Sequence, residues 1–378
     1  MIVAIIAAAI SVVGIAQAAA GWIAVRRFAD RVAAARRERP CAAGILPAVT
    51  VLKPLHGDEP LLEEALASAC RQDYPIFQIV FGVSELDDTA LPVVQRLRAE
   101  FGETDMAVVT DATLHGENRK VGNLINMLRA AKHDVLVIAD SDIHVASDWL
   151  RRLVLALEEP QVGLVTTIYT GRPASGFFGR LGALQINQYF LPGAILARVM
   201  GRQDCLGATM MLRRKTLERI GGLQALVNHL ADDNVLGRLV QQLGLRVALG
   251  ETVPATTVPE ATLPALWWHE LRWARTIRAL APLPFAASVL QYPLAWAVLA
   301  VVLAGARPVS LAWFGIAWCV RALAVHGIDK ALGLAKRSPL WLLPLRELMS
   351  VAVMAASYAG RRVDWRGYTL QAEGFDPR

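Results

Sequence analysis

The first 25 residues carry no charged side chain, and Arg26, Arg27, Arg31, Arg36, Arg37 and Arg39 crowd the stretch behind them. An uncharged run of that length covers the hydrocarbon core of a bilayer as a helix, the form in which a single segment satisfies its own backbone without water. The trailing arginines fix its direction, because Lys and Arg are retained on the cytosolic side. Whatever follows must therefore fold beside a membrane, on its cytosolic face. A cleaved signal peptide is the competing reading, but no charged region precedes the apolar run and the run is long, which favours a retained anchor.

The far end of the chain repeats the pattern. Over 378 residues, 54% are hydrophobic and 19% charged, too apolar for a purely soluble protein. Residues 283–306 form a second uncharged stretch of spanning length. Residues 310–328 and 338–360 are weaker candidates, because Arg321 interrupts the first and Arg346-Glu347 the second, and charges at that depth must pair, snorkel or face protein. We expect an anchor at 1–25, a basic juxtamembrane linker at 26–47, a membrane region at 283–360 with two or three spans, and a basic tail at 361–378. The net charge of +6 owes much to the juxtamembrane arginines and suits anionic lipid headgroups; no basic stripe interleaved with aromatics points to nucleic acid. Cys41, Cys70, Cys205 and Cys319 stand far apart without Cys-x-x-Cys pairing, which suggests neither a zinc site nor a disulfide framework.

Between the apolar ends lies a segment, 48–282, able to bury its own core. Its strand signals at 48–52, 77–83, 107–109, 135–139 and 163–169 alternate with helical spacing at 59–70, 91–101 and 121–131. Alternation of this kind describes a mostly parallel α/β sheet, whose ligands bind beyond the carboxyl ends of the strands. Residues 177–200 are long, apolar and nearly uncharged. They read equally as a helix at the membrane surface or as a core helix of the catalytic domain, and 265–282 reads as a second interfacial helix.

Carboxylates stand where the strands stop. Asp140-Ser141-Asp142 closes a run of apolar residues, and one or two such hard oxygen ligands suffice for Mg2+ or Mn2+ when a diphosphate completes the coordination. Asp87-Asp88 follows the strand at 77–83, where a carboxylate can accept hydrogen bonds from a nucleoside or simply cap the next helix. Asp232-Asp233 opens a helical stretch and offers either a cap or a general base. His269-Glu270-Leu271-Arg272-Trp273, behind Trp267-Trp268, pairs aromatics with arginine, which suits both a diphosphate and a membrane interface.

Together these residues resemble glycosyltransferase families 2 and, more closely, 21, the ceramide glucosyltransferase group and its bacterial hopanoid-biosynthesis relatives. Val51-Leu52-Lys53-Pro54-Leu55-His56-Gly57 is similar to the group's opening strand and Lys-Pro-Leu-x-Gly turn, and Gln72-Asp73-Tyr74-Pro75 and Asn118-Arg119-Lys120-Val121-Gly122-Asn123-Leu124 also match. Asp88, Asp140 and Asp233 fall at the family's acidic positions, and His269 to Trp273 at its (Gln/Arg)-x-x-Arg-Trp motif, with histidine where glutamine is usual. The resemblance implies a GT-A fold, a UDP-sugar donor and a divalent metal. It implies that Asp88 holds the uridine, that Asp140 and Asp142 hold the ribose and the metal diphosphate, and that Lys120 meets a phosphate or ribose. Asp232 and His269 line the donor side, Asp233 is the base, and Arg272-Trp273 close the site. Asp142, where animal ceramide enzymes tend to carry glycine, resembles the bacterial branch, and the whole chain is similar to the hopanoid-associated members. That implies UDP-N-acetylglucosamine as donor, a bacteriohopanetetrol-type acceptor, and an inner-membrane enzyme facing the cytosol. Alternatives are a ceramide glucosyltransferase and a non-catalytic nucleotide-sugar-binding membrane protein.

Overall fold

The computed structural model describes residues 1–37, 46–360, 362–365 and 368–371, the last two segments by their backbone alone. Arg39 and Cys41, and the side chains of Arg361, Arg362 and Arg366, lie outside the described residues. The chain divides into a sheet unit, Ala34–Ala174 with Gly201–Pro259, and a helical unit, Met1–Ala33 with Ser175–Met200 and Glu260–Arg378.

The sheet unit begins with β1 (Val49–Pro54), α2 (Leu62–Cys70), β2 (Phe77–Val83), α3 (Leu91–Glu100), β3 (Asp105–Thr110), α4 (Arg119–Leu128) and β4 (Val135–Ala139), after α1 (Ile2–Arg37), which belongs mostly to the other unit. It continues through β5 (Ile143–His144), α5 (Trp149–Leu157), β6 (Val162–Thr166) and β7 (Thr170–Pro173), and resumes with β8 (Thr209–Arg213), α8 (Arg214–Arg219), α9 (Asp232–Gln242), β9 (Arg246–Leu249) and β10 (Ala255–Val258). Among the described residues, a seven-stranded sheet runs β3-β2-β1-β4-β8-β6-β9. Each pairing is parallel except those of β8, which runs antiparallel to β4 and β6. This is the mostly parallel α/β sheet expected of the GT-A type. β1, β2 and β4 are buried nearly throughout; β4 is apolar without a break, whereas β1 also buries Thr50 and Lys53 and β2 buries Gln78. Val51, Phe81 and Val137 share a core with Trp149, Leu153 and Leu66 from the covering helices. A small sheet, β5-β10-β7, stands beside the large one.

The helical unit holds α1, α6 (Phe177–Gln185), a π-turn (Ile186–Phe190), α7 (Leu191–Val199), α10 (Leu263–Leu280), α11 (Pro282–Ala287), α12 (Pro293–Leu303), α13 (Pro308–Ala331) and α14 (Leu343–Ser357). α1 does not end with the apolar run but continues through Arg37. Among the described residues, Ile2–Arg37, Pro308–Ala331 and Leu340–Ser357 are long and apolar enough to cross a membrane. The stretch expected as a single span at 283–306 is instead broken: α11 with its following turn meets α12 at 67°. The cause is Pro293, which lacks an N–H and bars Tyr292 from helical geometry, leaving it at φ −107°, ψ 70°. The segment expected as one catalytic domain at 48–282 also divides. Residues 177–200 and 265–282 group with the apolar helices, where Leu181, Leu184, Tyr189, Leu266 and Leu271 join a core with Leu294 and Leu343.

The charges that interrupt the last two candidate spans, Arg321, Arg346 and Glu347, are paired. Arg321 donates to the Gln188 carbonyl at 2.9 Å, the oxygen that Pro192 cannot serve because it has no N–H to return four residues back. Its guanidinium also lies over the Tyr189 ring and 3.6 Å from Glu347. Glu347 accepts from the N–H groups of Leu294 and Ala295 at the start of α12, at 2.5 and 3.1 Å. A carboxylate there meets the positive end of the helix.

Candidate active site

Three strands of the large sheet deliver the site. β1, β2 and β4 are parallel neighbours, so the turns after Pro54, Val83 and Ala139 emerge on one edge, where ligands bind in such sheets. At β4 the next residues are Asp140-Ser141-Asp142. Lys120, in the first turn of α4, places Nζ 2.6 Å from Asp140 Oδ1 and 3.9 Å from Asp232 Oδ2. Asn118 puts it there: its side chain caps α4 through the Val121 N–H and donates to the His229 carbonyl at 2.8 Å, tying the helix start to the loop that leads into Asp232-Asp233.

Carboxylates outnumber cations in this cluster. Burial alone would lower the Lys120 pKa, but Asp140 and Asp232 outweigh it and hold the ammonium above the ordinary lysine range. Burial, then the Asp232 charge, push Asp233 up to about 7 against the pull of Lys120. Burial, then Asp140, raise Asp142 to about 6. Burial raises Asp232 as well, with Lys120 opposing. Asp233 is half-buried at the start of α9, where its Oδ1 accepts a local bond from the Asn234 N–H at 2.7 Å. The helix-cap alternative does not describe it, since α9 has Ala231 at its cap and no side-chain cap bond. Gly207 stands so close that a Cβ there would lie 3.1 Å from Asp233 Oδ2. The absent side chain makes room for the carboxylate.

The Asp140-Ser141-Asp142 turn is gripped from below and behind. Lys53, fully buried at the end of β1, donates to the Asp140 carbonyl at 2.7 Å and lies 3.5 Å from that of Ile143. Burial brings its pKa down to about 8, against the charges of Asp142 and Asp140. Ser141 Oγ donates to Glu59 at 2.6 Å, and the Thr256 hydroxyl donates to Asp142 Oδ2. Behind Asp142, His144 bonds Thr257 at 2.8 Å and faces Arg172, which Glu64 holds by two hydrogen bonds. Burial, then Arg172, depress the His144 pKa to about 4, so it stands neutral. In the sequence, Lys53 and Asn118 stand only as motif members and nothing marks Gly207 or Thr256, because the groups they meet lie elsewhere in the chain.

Asp88 does the turn chemistry that the sequence offered as an alternative. Its Oδ1 accepts from the Gly57 and Ala90 N–H groups at 2.9 and 2.8 Å. It thereby fastens the Lys-Pro-Leu-x-Gly turn, whose Gly57 sits at φ 72°, to the loop after β2. Thus Lys120, Asp140, Asp232 and Asp233 are gathered around one ammonium, Asp142 adjoins Asp140, and Asp88 organises the neighbouring turn.

His269, Arg272 and Trp273 lie on α10 of the helical unit. Thr262 caps that helix through the Ala265 N–H, and Pro264 starts it without wasting a donor. His269 Nδ1 is bonded to the buried Glu260, and its ring meets Trp273 edge-on at 4.7 Å, one turn along.

The residues suit a divalent cation that arrives with a diphosphate. Among the described residues no group of three or more His, Cys, Asp or Glu side chains forms a complete protein cage. Two carboxylates one residue apart, with more negative than positive charge around them, are what Mg2+ or Mn2+ requires when phosphate oxygens and water fill the other positions.

The chain matches the model of Glycosyl transferase family 21 over residues 5–374. Ceramide glucosyltransferase 3 of Caenorhabditis elegans is 23% identical over 244 residues, 63% of this chain and 52% of that protein. The ceramide glucosyltransferase of Candida albicans is 31% identical over 125 residues, 30% of this chain and 23% of that protein. The chain thus spans about half the length of the first relative and about a quarter of the second. Among solved structures, a mannosyltransferase of Pyrobaculum calidifontis in complex with GDP-Man and Mn2+ is 22% identical, covering 92% of this chain and 99% of that one at a TM-score of 0.47.

Proposed function

Because the chain belongs to glycosyltransferase family 21, we propose that it transfers one sugar from a UDP donor, with inversion, to a hydroxyl group of a membrane lipid. The observation that carries this reading is the half-buried Asp233, pushed up to about 7 beside the Lys120 cluster. A carboxylate poised near neutrality is suited to take a proton at working pH. Asp233 removes the acceptor's proton as that oxygen forms its bond to the anomeric carbon. The bond from that carbon to the diphosphate breaks on the opposite face, and UDP leaves with the electron pair. Asp140 and Asp142 hold the divalent cation, which when bound supplies positive charge against the departing diphosphate. Lys120 adds a second, fixed charge, and Asp88 frames the nucleoside side by holding the Gly57 turn. For His269, Arg272 and Trp273 we keep the parts implied by the family motif, to be judged by activity.

The acceptor we favour is a hopanoid of the bacteriohopanetetrol type and the donor UDP-N-acetylglucosamine, from the sequence resemblance that includes Asp142. The matched relatives are ceramide glucosyltransferases, which favours a second reading, UDP-glucose to ceramide. In both, we place the sheet unit at the cytosolic face of the inner membrane; the arginines behind the apolar start of α1 support the cytosolic side.

Asp233→Asn tests the mechanism. Loss of a general base costs about a hundredfold to ten-thousandfold, so turnover should fall by that factor while UDP binding with Mn2+ persists. Unchanged turnover removes Asp233 from the reaction. Offering both UDP-sugars with both lipids to the purified chain separates the two readings of substrate.

A further inference from the structure

One charge of the Arg-Trp motif has no part in this scheme. Glu270 stands between His269 and Arg272, yet it faces a different side of α10. Leu266, Glu270, Leu271 and Ala274 are buried, whereas His269, Arg272 and Trp273 are only partly so. A carboxylate on the apolar side of a helix is costly unless it is paired and fully hydrogen-bonded. Its partner is Arg346, one of the charges that interrupt the last apolar stretch of the sequence. The two terminal nitrogens of Arg346 donate to the two oxygens of Glu270, each at 2.7 Å, the parallel fork that guanidinium and carboxylate form best. Arg346 is wholly buried, and its remaining bonds go to Ser350 Oγ at 3.1 and 3.2 Å and to the Leu181 carbonyl at 3.3 Å. Ser350 passes the network on to Gln185 at 3.0 Å. One guanidinium thus joins α6, α10 and α14.

We propose that Arg346 is a positioning residue for glycosyl transfer: its fork on Glu270 fixes the rotation of α10 about its own axis, and so fixes the face that presents His269, Arg272 and Trp273. Positions two apart on a helix differ by about 200°, so holding Glu270 against α14 holds Arg272 away from it. An apolar side chain at 270 would pack against α14 over a range of rotations, whereas a two-bond fork accepts one. Registry is the best-attested use of a buried ion pair, whose net contribution to stability is often small.

The proposal rests on the reading that Arg272 and Trp273 serve the transfer, and its test separates the two. The full chain, reconstituted in phospholipid nanodiscs, is compared as wild type, Arg272→Ala, Arg346→Lys and the double variant Glu270→Leu/Arg346→Leu. Measured are kcat, KM for the UDP-sugar, Kd for UDP with Mn2+, and Tm. Arg346→Lys keeps the charge and loses the fork; kcat should fall about tenfold, the lower range for loss of an orienting partner, with Kd within about twofold of wild type. The double leucine variant should keep its Tm, since apolar replacement of a buried pair is often neutral or stabilising, and still lose kcat. If Arg346→Lys or the double variant turns over like wild type, or loses activity only in proportion to folded protein lost, the clamp is overturned. If the double variant does not fold, Arg346→Lys decides alone by the same criterion. If Arg272→Ala is fully active, the reading beneath the proposal falls and the clamp falls with it; an inactive Arg272→Ala beside fully active Arg346 variants sinks the clamp only.

Discussion

As the proposed base, Asp233 must give up its own proton at working pH before it can take one from the acceptor. Burial, then the charge of the adjacent Asp232, raise its pKa to about 7, with Lys120 opposing. The consequence is a pH dependence. The base must be ionised, so kcat/KM should climb with pH through about 7 and level off above it, and should fall as pH drops and the carboxyl protonates. A profile flat between pH 5 and pH 8, the span in which a group of that pKa changes charge, would contradict the role. The approach of Gly207 gives a finer test. A methyl group there needs Asp233 to move by a few tenths of an ångström, and small misplacement of a reacting group can cost as much as a hundredfold in rate. Gly207→Ala should therefore lower kcat while UDP binding is kept; equal loss of both would point to general damage. Lys53 reads in the sequence only as the end of an apolar run within the Lys-Pro-Leu-x-Gly motif, because the carbonyl it holds belongs to Asp140, 87 residues away. Holding the Asp140 carbonyl, it orients the turn proposed to carry the metal, and Lys53→Met should then weaken Mn2+ affinity about tenfold to a hundredfold. A titration of Mn2+ with UDP that overlays the wild type would remove that role.

Elements with long, regular patterns were legible, and short or side-chain-directed ones were not. β2 and β4 occupy the residues that their apolar runs mark, because strands buried on both faces are mostly apolar; the exception, Gln78 in β2, is met by the Thr50 hydroxyl. β5 has two residues and β10 four, too few for any period, and their pairing is locked by bonds from Thr256 and Thr257 to Asp142. In the helical unit, 283–306 looked like the better span because it is uncharged, yet Pro293 breaks it. α13 and α14 looked worse because of Arg321 and Arg346-Glu347, yet those charges find partners inside the unit. Hydropathy counts charges; it does not see who meets them. α1 joins the same unit through small residues: a Cβ on Gly327 would lie 2.1 Å from the Trp22 ring. Gly327→Leu should therefore push α1 and α13 apart and lower Tm in detergent, with overpacking costing about 1–3 kcal/mol. An unaltered melting curve would show that these helices do not meet there.

At the scale of the whole molecule, the apolar ends and the family motifs were both readable, and each constrains function. The chain holds both helices able to cross a membrane and a sheet whose strand ends carry the acidic cluster, the two parts that the proposed transfer from a water-borne donor to a lipid acceptor calls for. How the chain divides was not readable, because 177–200 and 265–282 are interrupted in sequence by sheet elements while their apolar faces belong with the membrane helices. Neither sugar nor lipid is written in the motifs, since pocket shape selects them. The most direct test is mass spectrometry of lipids from a host deleted for this gene, then supplied with the wild-type gene or with Asp233→Asn. A glycolipid should vanish on deletion, return with the wild type and stay absent with the variant. A lipid profile unchanged by deletion, or restored by Asp233→Asn, would contradict the account.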